Sequence, residues 1–296
     1  MQHRTLGGTR RLSRLFSSRP IVVAPIDDSL IVGPEGGLGP LGRTLQSIVR
    51  GKPNGLIMFR GAFECNNERI DASIPVFLNV TASIHGPKHT HKVLITSAMA
   101  AVRLGADGIA AHINIGSQYE PEMLTMVGDV RTECDRIGLP LLLIAYPRTE
   151  IGDETDNFES EKRNDVWRYT SRVRHAVRVA VELGADIVKT QYTGSAETFN
   201  AVVDSSCGVP VLIAGGQLVA AEHALRVARD AVAAGGCGVS FGRNVFNRPD
   251  PGAMIAALRQ VMTADISDHE IRVLALTVEG EAPTQRLQSQ VQIPIR

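Results

Sequence analysis

The sequence predicts a (β/α)8 barrel. Eight short apolar, β-branched runs recur along the chain, segments with apolar residues at helical spacing lie between them, and a fixed punctuation marks the passage from helix to strand. The runs are Ile21 to Ile26, Gly55 to Phe59, Pro75 to Val80, Gly108 to Ile113, Pro140 to Ala145, Asp186 to Thr190, Pro210 to Ala214 and Gly238 to Phe241. Most lack polar alternation, as strands covered on both faces of a parallel sheet do. Thr90 to Leu104, Glu120 to Ile137 and Trp167 to Leu183 read as helices among the connections. Leu104-Gly105-Ala106-Asp107, Leu183-Gly184-Ala185-Asp186 and Ala234-Gly235-Gly236-Cys237 each set glycine where a helix stops and a strand begins. Ile74-Pro75, Leu139-Pro140 and Val209-Pro210 place proline at strand starts, where no ladder donor is lost. A doubly wound sheet is the alternative closure of the same units.

We divide the chain into a basic extension over residues 1–19, the barrel over 20–264 and a tail over 265–296. The extension carries Arg4, Arg10, Arg11, Arg14 and Arg19 but no apolar run of signal-peptide length, and no stretch is apolar enough to span a bilayer. Lysine plus arginine total 31 and aspartate plus glutamate total 31, so no global charge draws in nucleic acid or an anionic membrane. Cys65, Cys134, Cys207 and Cys237 are widely spaced, without metal-ligand spacing to any histidine, and read as reduced thiols of a cytoplasmic protein. His85, His89 and His91 lie in a glycine- and proline-containing loop with no carboxylate nearby, so we expect neither a metal site nor a cofactor.

A barrel of this kind carries its chemistry at the C-terminal ends of its strands. Those ends are polar here: Asp27 and Asp28 after strand one, His112 and Asn114 on strand four, Tyr146 and Arg148 on strand five, Lys189 on strand six, Gly215 and Gly216 after strand seven, and Gly242, Arg243 and Asn244 after strand eight. Lys189 stands inside a run that reads as buried. Desolvation favours the neutral amine of a lysine, which can attack a carbonyl and form a Schiff base. Imine chemistry needs groups that move protons, and Tyr146 and Asp27 are candidates. Asp27 and Asp28 are neighbours in sequence, so in extended backbone only one of them faces the mouth. Glycines at the ends of strands seven and eight let backbone N–H groups close on an anion, with Arg243 adding a charge-assisted fork. The polar stretch from Glu150 to Asp165 reads as a mobile lid.

These residues resemble the archaeal-type class I aldolases, a family that comprises fructose-bisphosphate aldolases and 2-amino-3,7-dideoxy-D-threo-hept-6-ulosonate synthases. The likeness runs from about Pro20 to Ala264 and is nearest to the synthase branch. Its carriers are His112-Ile113-Asn114-Ile115-Gly116-Ser117, Tyr146-Pro147-Arg148, Glu182-Leu183-Gly184-Ala185-Asp186-Ile187-Val188-Lys189-Thr190, Tyr192-Thr193-Gly194, Ala214-Gly215-Gly216 and Gly242-Arg243-Asn244-Val245-Phe246. The resemblance implies Lys189 as the Schiff-base lysine, Tyr146 as proton donor and Asp27 as proton acceptor. It implies a phosphate site at Gly215, Gly216, Gly242 and Arg243, and we add Asp28 and Arg148 at the same rim as substrate-binding residues. The expected activity is an aldolase or transaldolase acting on a ketose or diulose phosphate, with aspartate semialdehyde as an acceptor, in a homo-oligomer. Cleavage of fructose bisphosphate is the alternative within the class, and a non-catalytic phosphosugar-binding barrel is the alternative outside it. The chain departs from the family pattern at Asp28-Ser29, where histidine and glycine are usual, and at Thr149, where glycine is usual.

Overall fold

Each of the eight apolar runs forms a strand, and the strands close on one another. The structure, a computed structural model, describes residues 5–83, 90–149 and 158–281. We number the barrel strands β1 (Ile21–Pro25), β2 (Gly55–Met58), β3 (Val76–Asn79), β4 (Gly108–Ile115), β5 (Leu141–Pro147), β6 (Ile187–Gln191), β7 (Val211–Ala214) and β8 (Gly238–Ser240). All pair in parallel in sequence order, and β8 returns to β1. Outward residues such as Val22, Leu56, Leu78, Leu143, Val188 and Ile213 pack beneath the surrounding helices in one large apolar cluster. Inward residues, among them Val23, Ile57, Phe77, Leu142, Ile144, Ile187 and Leu212, form a second cluster that fills the barrel.

The repeated Leu-Gly-Ala-Asp units have a physical role at the bottom of the barrel. Gly105 and Gly184 take positive φ values of 86° and 82° to stop a helix, and the following aspartate then opens the next strand. The carboxylate of Asp107 accepts from the Val76 N–H at 3.0 Å, and that of Asp186 accepts from the Leu141 N–H at 2.9 Å. Each aspartate thus satisfies a donor at the start of the preceding strand. Arg131 braces Asp186 at 2.9 Å.

The described parts of both terminal segments, residues 5–19 and 265–281, pack on the barrel. Helix Leu6–Leu15 turns its apolar side to the barrel floor, where Leu12 and Leu15 are buried against the interior cluster; full burial of such a side chain contributes about 1.5–3 kcal/mol. Helix Asp268–Glu279 opens on a capping box between Ser267 and Glu270 and buries Ile271, Ala275 and Val278 in the outer cluster.

Two connections differ from the sequence reading. Within residues 90–104 the α-helix covers only Ala98–Arg103; Val93–Leu94 instead pairs antiparallel with Thr81–Ala82 as a small ribbon. The β-branched, apolar Val93-Leu94-Ile95 favours extended backbone, and Ser97 caps the helix by accepting from the Ala100 N–H at 3.1 Å, so helix begins only there. The lid reading covers 150–157, outside the described residues, and Phe158 onward, which is fastened down. Phe158 is buried beneath the Arg172 guanidinium, and Glu161 pairs with Arg168 and Arg172.

Barrel closure supplies a stability prediction. Gly238 has φ 146°, and a Cβ there would stand 2.0 Å from the Ile21 carbonyl oxygen on β1. Neither backbone can yield without opening the β1–β8 seam. Gly238→Ala is expected to destabilise the protein by more than about 3 kcal/mol, read as a large fall in melting temperature, while Gly61→Ala, with open space around it, serves as a neutral control.

Candidate active site

The paired registers stagger around the barrel so that side chains from alternate strands form layers. Ile57, Ala110, Lys189 and Ser240 share one such layer. Lys189 is 7 % exposed, and its unbranched stem rises from an apolar setting toward the C-terminal mouth. Ser240 is buried, and its Oγ has no hydrogen-bond partner among the described residues.

Asp27 is the acidic group above the lysine. Burial pushes its carboxyl above the ordinary aspartate value; the Lys189 charge and the Asn79 amide pull it back, and neighbouring Asp28 adds to the rise. Asn79 Nδ2 donates to Asp27 Oδ2 at 2.6 Å, while Asn79 Oδ1 accepts from the N–H and hydroxyl of Thr81, both at 3.1 Å. The asparagine is therefore held from behind, and the carboxyl is held by the asparagine. Asn79 is the last residue of β3, and a polar residue near the end of the apolar Pro75 to Val80 run was the signal that could have marked it.

Tyr146, on β5, is 8 % exposed and faces inward. The His112 ring meets it edge-on at 4.9 Å and 82°, and the Arg148 guanidinium lies 5.1 Å from its ring centre. His112 Nε2 is 3.0 Å from Asn114 Oδ1, and Asn114 Nδ2 donates to the Thr90 carbonyl at 2.7 Å, which ties the segment after residue 90 to the rim. Burial, reinforced by nearby Arg243, holds the Arg148 pKa below the usual arginine range, against the pull of Tyr146.

The glycines after β7 and β8 approach one another through Asn244. Its Nδ2 donates to the carbonyls of Gly215 at 2.9 Å and Gln217 at 2.8 Å, and its Oδ1 accepts from the Val219 N–H at 3.1 Å. Gly216 holds φ at 66°, and a Cβ on Gly215 would press on the Phe241 ring at 3.0 Å and on Asn244 at 3.3 Å. Arg243 Nε lies 3.4 Å from Asp28 Oδ2, and its Nη1 donates to Gln217 Oε1 at 2.5 Å. Asp28 precedes the short helix Ser29–Val32 and meets Arg243, while Asp27 turns to Asn79; the backbone at Asp28 is helical (φ −93°, ψ −9°) rather than extended, so both carboxylates, not one, lie at the mouth.

One end of the barrel therefore gathers Asp27, Asp28, Tyr146, Arg148, Lys189, Gly215, Gly216, Gly242 and Arg243. The sequence reading missed Asn79, Ser240 and a second buried lysine, Lys92, which donates to Ser83 Oγ at 2.6 Å. His91 stacks on Tyr119 at 4.2 Å; His85 and His89 lie outside the described residues. No cluster of three or more metal-ligating side chains occurs among the described residues, and no helix there is long and apolar enough to cross a membrane. The four cysteines are free thiols.

A parallel eight-stranded barrel with a lysine and acid–base groups at its C-terminal mouth is the architecture of an aldolase. The chain belongs to the DeoC/LacD family of aldolases, whose family model matches residues 22–248. It is 36 % identical over 260 residues to the 2-amino-3,7-dideoxy-D-threo-hept-6-ulosonate synthase of Halobacterium salinarum, covering 88 % of this chain and 92 % of that one. It is 33 % identical over 257 residues to the 2-amino-4,5-dihydroxy-6-oxo-7-(phosphonooxy)heptanoate synthase of Streptomyces griseus, covering 85 % and 89 %. Among solved structures it is similar to an archaeal fructose-1,6-bisphosphate aldolase whose catalytic lysine is bound to a carbinolamine intermediate, with TM-score 0.74, 26 % identity, and coverage of 87 % of this chain and 100 % of that one.

Proposed function

We propose that this aldolase forms an imine between Lys189 and the ketone of a phosphorylated ketose or diulose, and joins the resulting enamine to an aldehyde that carries a carboxylate, of the aspartate-semialdehyde kind. The carrying observation is Lys189 buried in the barrel with Asp27 and Tyr146 at the same mouth. The Lys189 amine adds to the ketone carbon, and the carbinolamine expels its hydroxyl as water as Tyr146 supplies a proton. Ser240 Oγ, in the lysine's own layer, receives that water. Asp27 then takes the proton of the substrate hydroxyl whose carbon–carbon bond breaks, and the electron pair of that bond flows to the iminium nitrogen as an enamine. Attack of the enamine on the new aldehyde runs the same steps in reverse. One relative supports the charged acceptor, because the product named for the Streptomyces griseus enzyme has a carboxylate at one end and a phosphate at the other.

The test is borohydride reduction in the presence of dihydroxyacetone phosphate or fructose 1,6-bisphosphate. A stable mass adduct on Lys189 is expected. A protein that binds these phosphates without gaining an adduct is the non-catalytic barrel instead.

The phosphate site makes its own prediction. The Arg243–Asp28 pair is about a third exposed on both sides and contributes little to stability, so an incoming phosphate can replace Asp28 on the guanidinium. A charge-assisted contact of this kind contributes on the order of 1.5–3 kcal/mol, so Arg243→Ala should raise KM for a phosphorylated substrate roughly ten- to a hundredfold more than for its dephosphorylated analogue. Equal losses on both, with a lowered melting temperature, would make Arg243 a brace of the rim.

A further inference from the structure

Lys92 is a buried lysine at the mouth that the imine chemistry does not use. It is 3 % exposed and sits on the segment tied to two strand ends: the Ile95 N–H donates to the Val80 carbonyl at 2.8 Å, and the Thr90 carbonyl accepts from Asn114 at 2.7 Å. Its ammonium carries three donors, and Ser83 Oγ is its one hydrogen-bond partner among the described residues. The charged groups that face it are Arg148, after β5, and Asp27 and Asp28, after β1. Burial, then Arg148, pushes its pKa down to about 7, with the two carboxylates pulling the other way. With one donor on Ser83, the ammonium has two more that an anion at the mouth can accept.

The position is distinctive. The glycines and Arg243 lie at the ends of β7 and β8, whereas Lys92 enters from the edge of β3 and β4, on the far side of the closed barrel. A substrate charged at both ends would span the mouth between them. Building on the aldol reading above, we infer that Lys92 holds the carboxylate of the acceptor aldehyde and so determines which aldehydes the enamine meets.

The test compares succinic semialdehyde with butanal, an uncharged aldehyde of the same chain length, using whichever of dihydroxyacetone phosphate and fructose 1,6-bisphosphate is trapped on Lys189. Lys92→Met should raise KM for succinic semialdehyde about ten- to a hundredfold, leave KM for butanal unchanged and leave borohydride trapping of the donor intact. In the wild type the preference for the charged aldehyde should fade as pH rises through about 7, where the ammonium loses its proton; Lys92→Arg, charged throughout, should retain it. Equal losses on both aldehydes would overturn the assignment, and so would an adduct found on Lys92. Calorimetric titration with succinate reads the site without turnover. Should no donor be trapped at all, the imine reading fails, while weakened succinate binding by Lys92→Met would still support the anion site and unchanged binding would remove it.

Discussion

Lys189→Met is expected to lower turnover by roughly 10⁴- to 10⁶-fold, the range seen when a covalent nucleophile is removed, with the fold intact. The substitution keeps an unbranched stem in the layer shared with Ile57, Ala110 and Ser240, so no large cavity opens. It takes away a buried ammonium and the charge that restrains the Asp27 carboxyl. Asp27 already has its folded-state pKa raised above the ordinary 3.8, so the folded protein binds the extra proton and stability falls as pH rises from 3.8 through the raised value. Without Lys189 that rise is larger and the window reaches to higher pH. The melting temperature of the variant should therefore decline more steeply with rising pH than that of the wild type. Borohydride should give no adduct with the variant. Substantial residual turnover would show that another group carries the chemistry.

The barrel was legible because its strands are buried on both faces. That requirement writes continuous β-branched runs such as Pro140 to Ala145 and Pro210 to Ala214, and the glycine and proline between them fix where each run begins. Lys189 was legible for the same reason, as a charge inside such a run. Asp27 and Tyr146 followed from the rule that strand ends meet at one mouth. Lys92 follows from no such rule. It lies in Thr90-His91-Lys92-Val93, which reads as the start of a helix, and it is buried only because residues 93–94 fold back against Thr81–Ala82. The pairing of Val93–Leu94 with Thr81–Ala82 is a non-local fact that no short window of sequence contains. The Arg243–Asp28 contact is of the same sort, since β1 and β8 meet only when the barrel closes. Leu12 and Leu15, spaced by three within an arginine-rich segment, carried a helical signal that the charge around them obscured.

Tyr146→Phe is expected to slow turnover by about 10²- to 10⁴-fold, the contribution of a well-placed general acid or base. The variant is a clean one because the contacts that hold the ring do not involve its hydroxyl: the His112 edge at 4.9 Å, the Arg148 guanidinium at 5.1 Å and the buried interior of β5 all remain for phenylalanine. The lost oxygen acts where protons move, so the effect should fall on kcat, and KM for the phosphorylated donor should change little. The imine should still be trapped by borohydride, more slowly if Tyr146 assists the departure of water and at the wild-type rate if it serves only the carbon–carbon step. Both outcomes keep the tyrosine in the mechanism and assign it to different steps. Wild-type turnover would exclude it and leave Asp27, whose carboxyl burial has already pushed upward and which Asn79 holds in place, as the group that both takes and returns the proton.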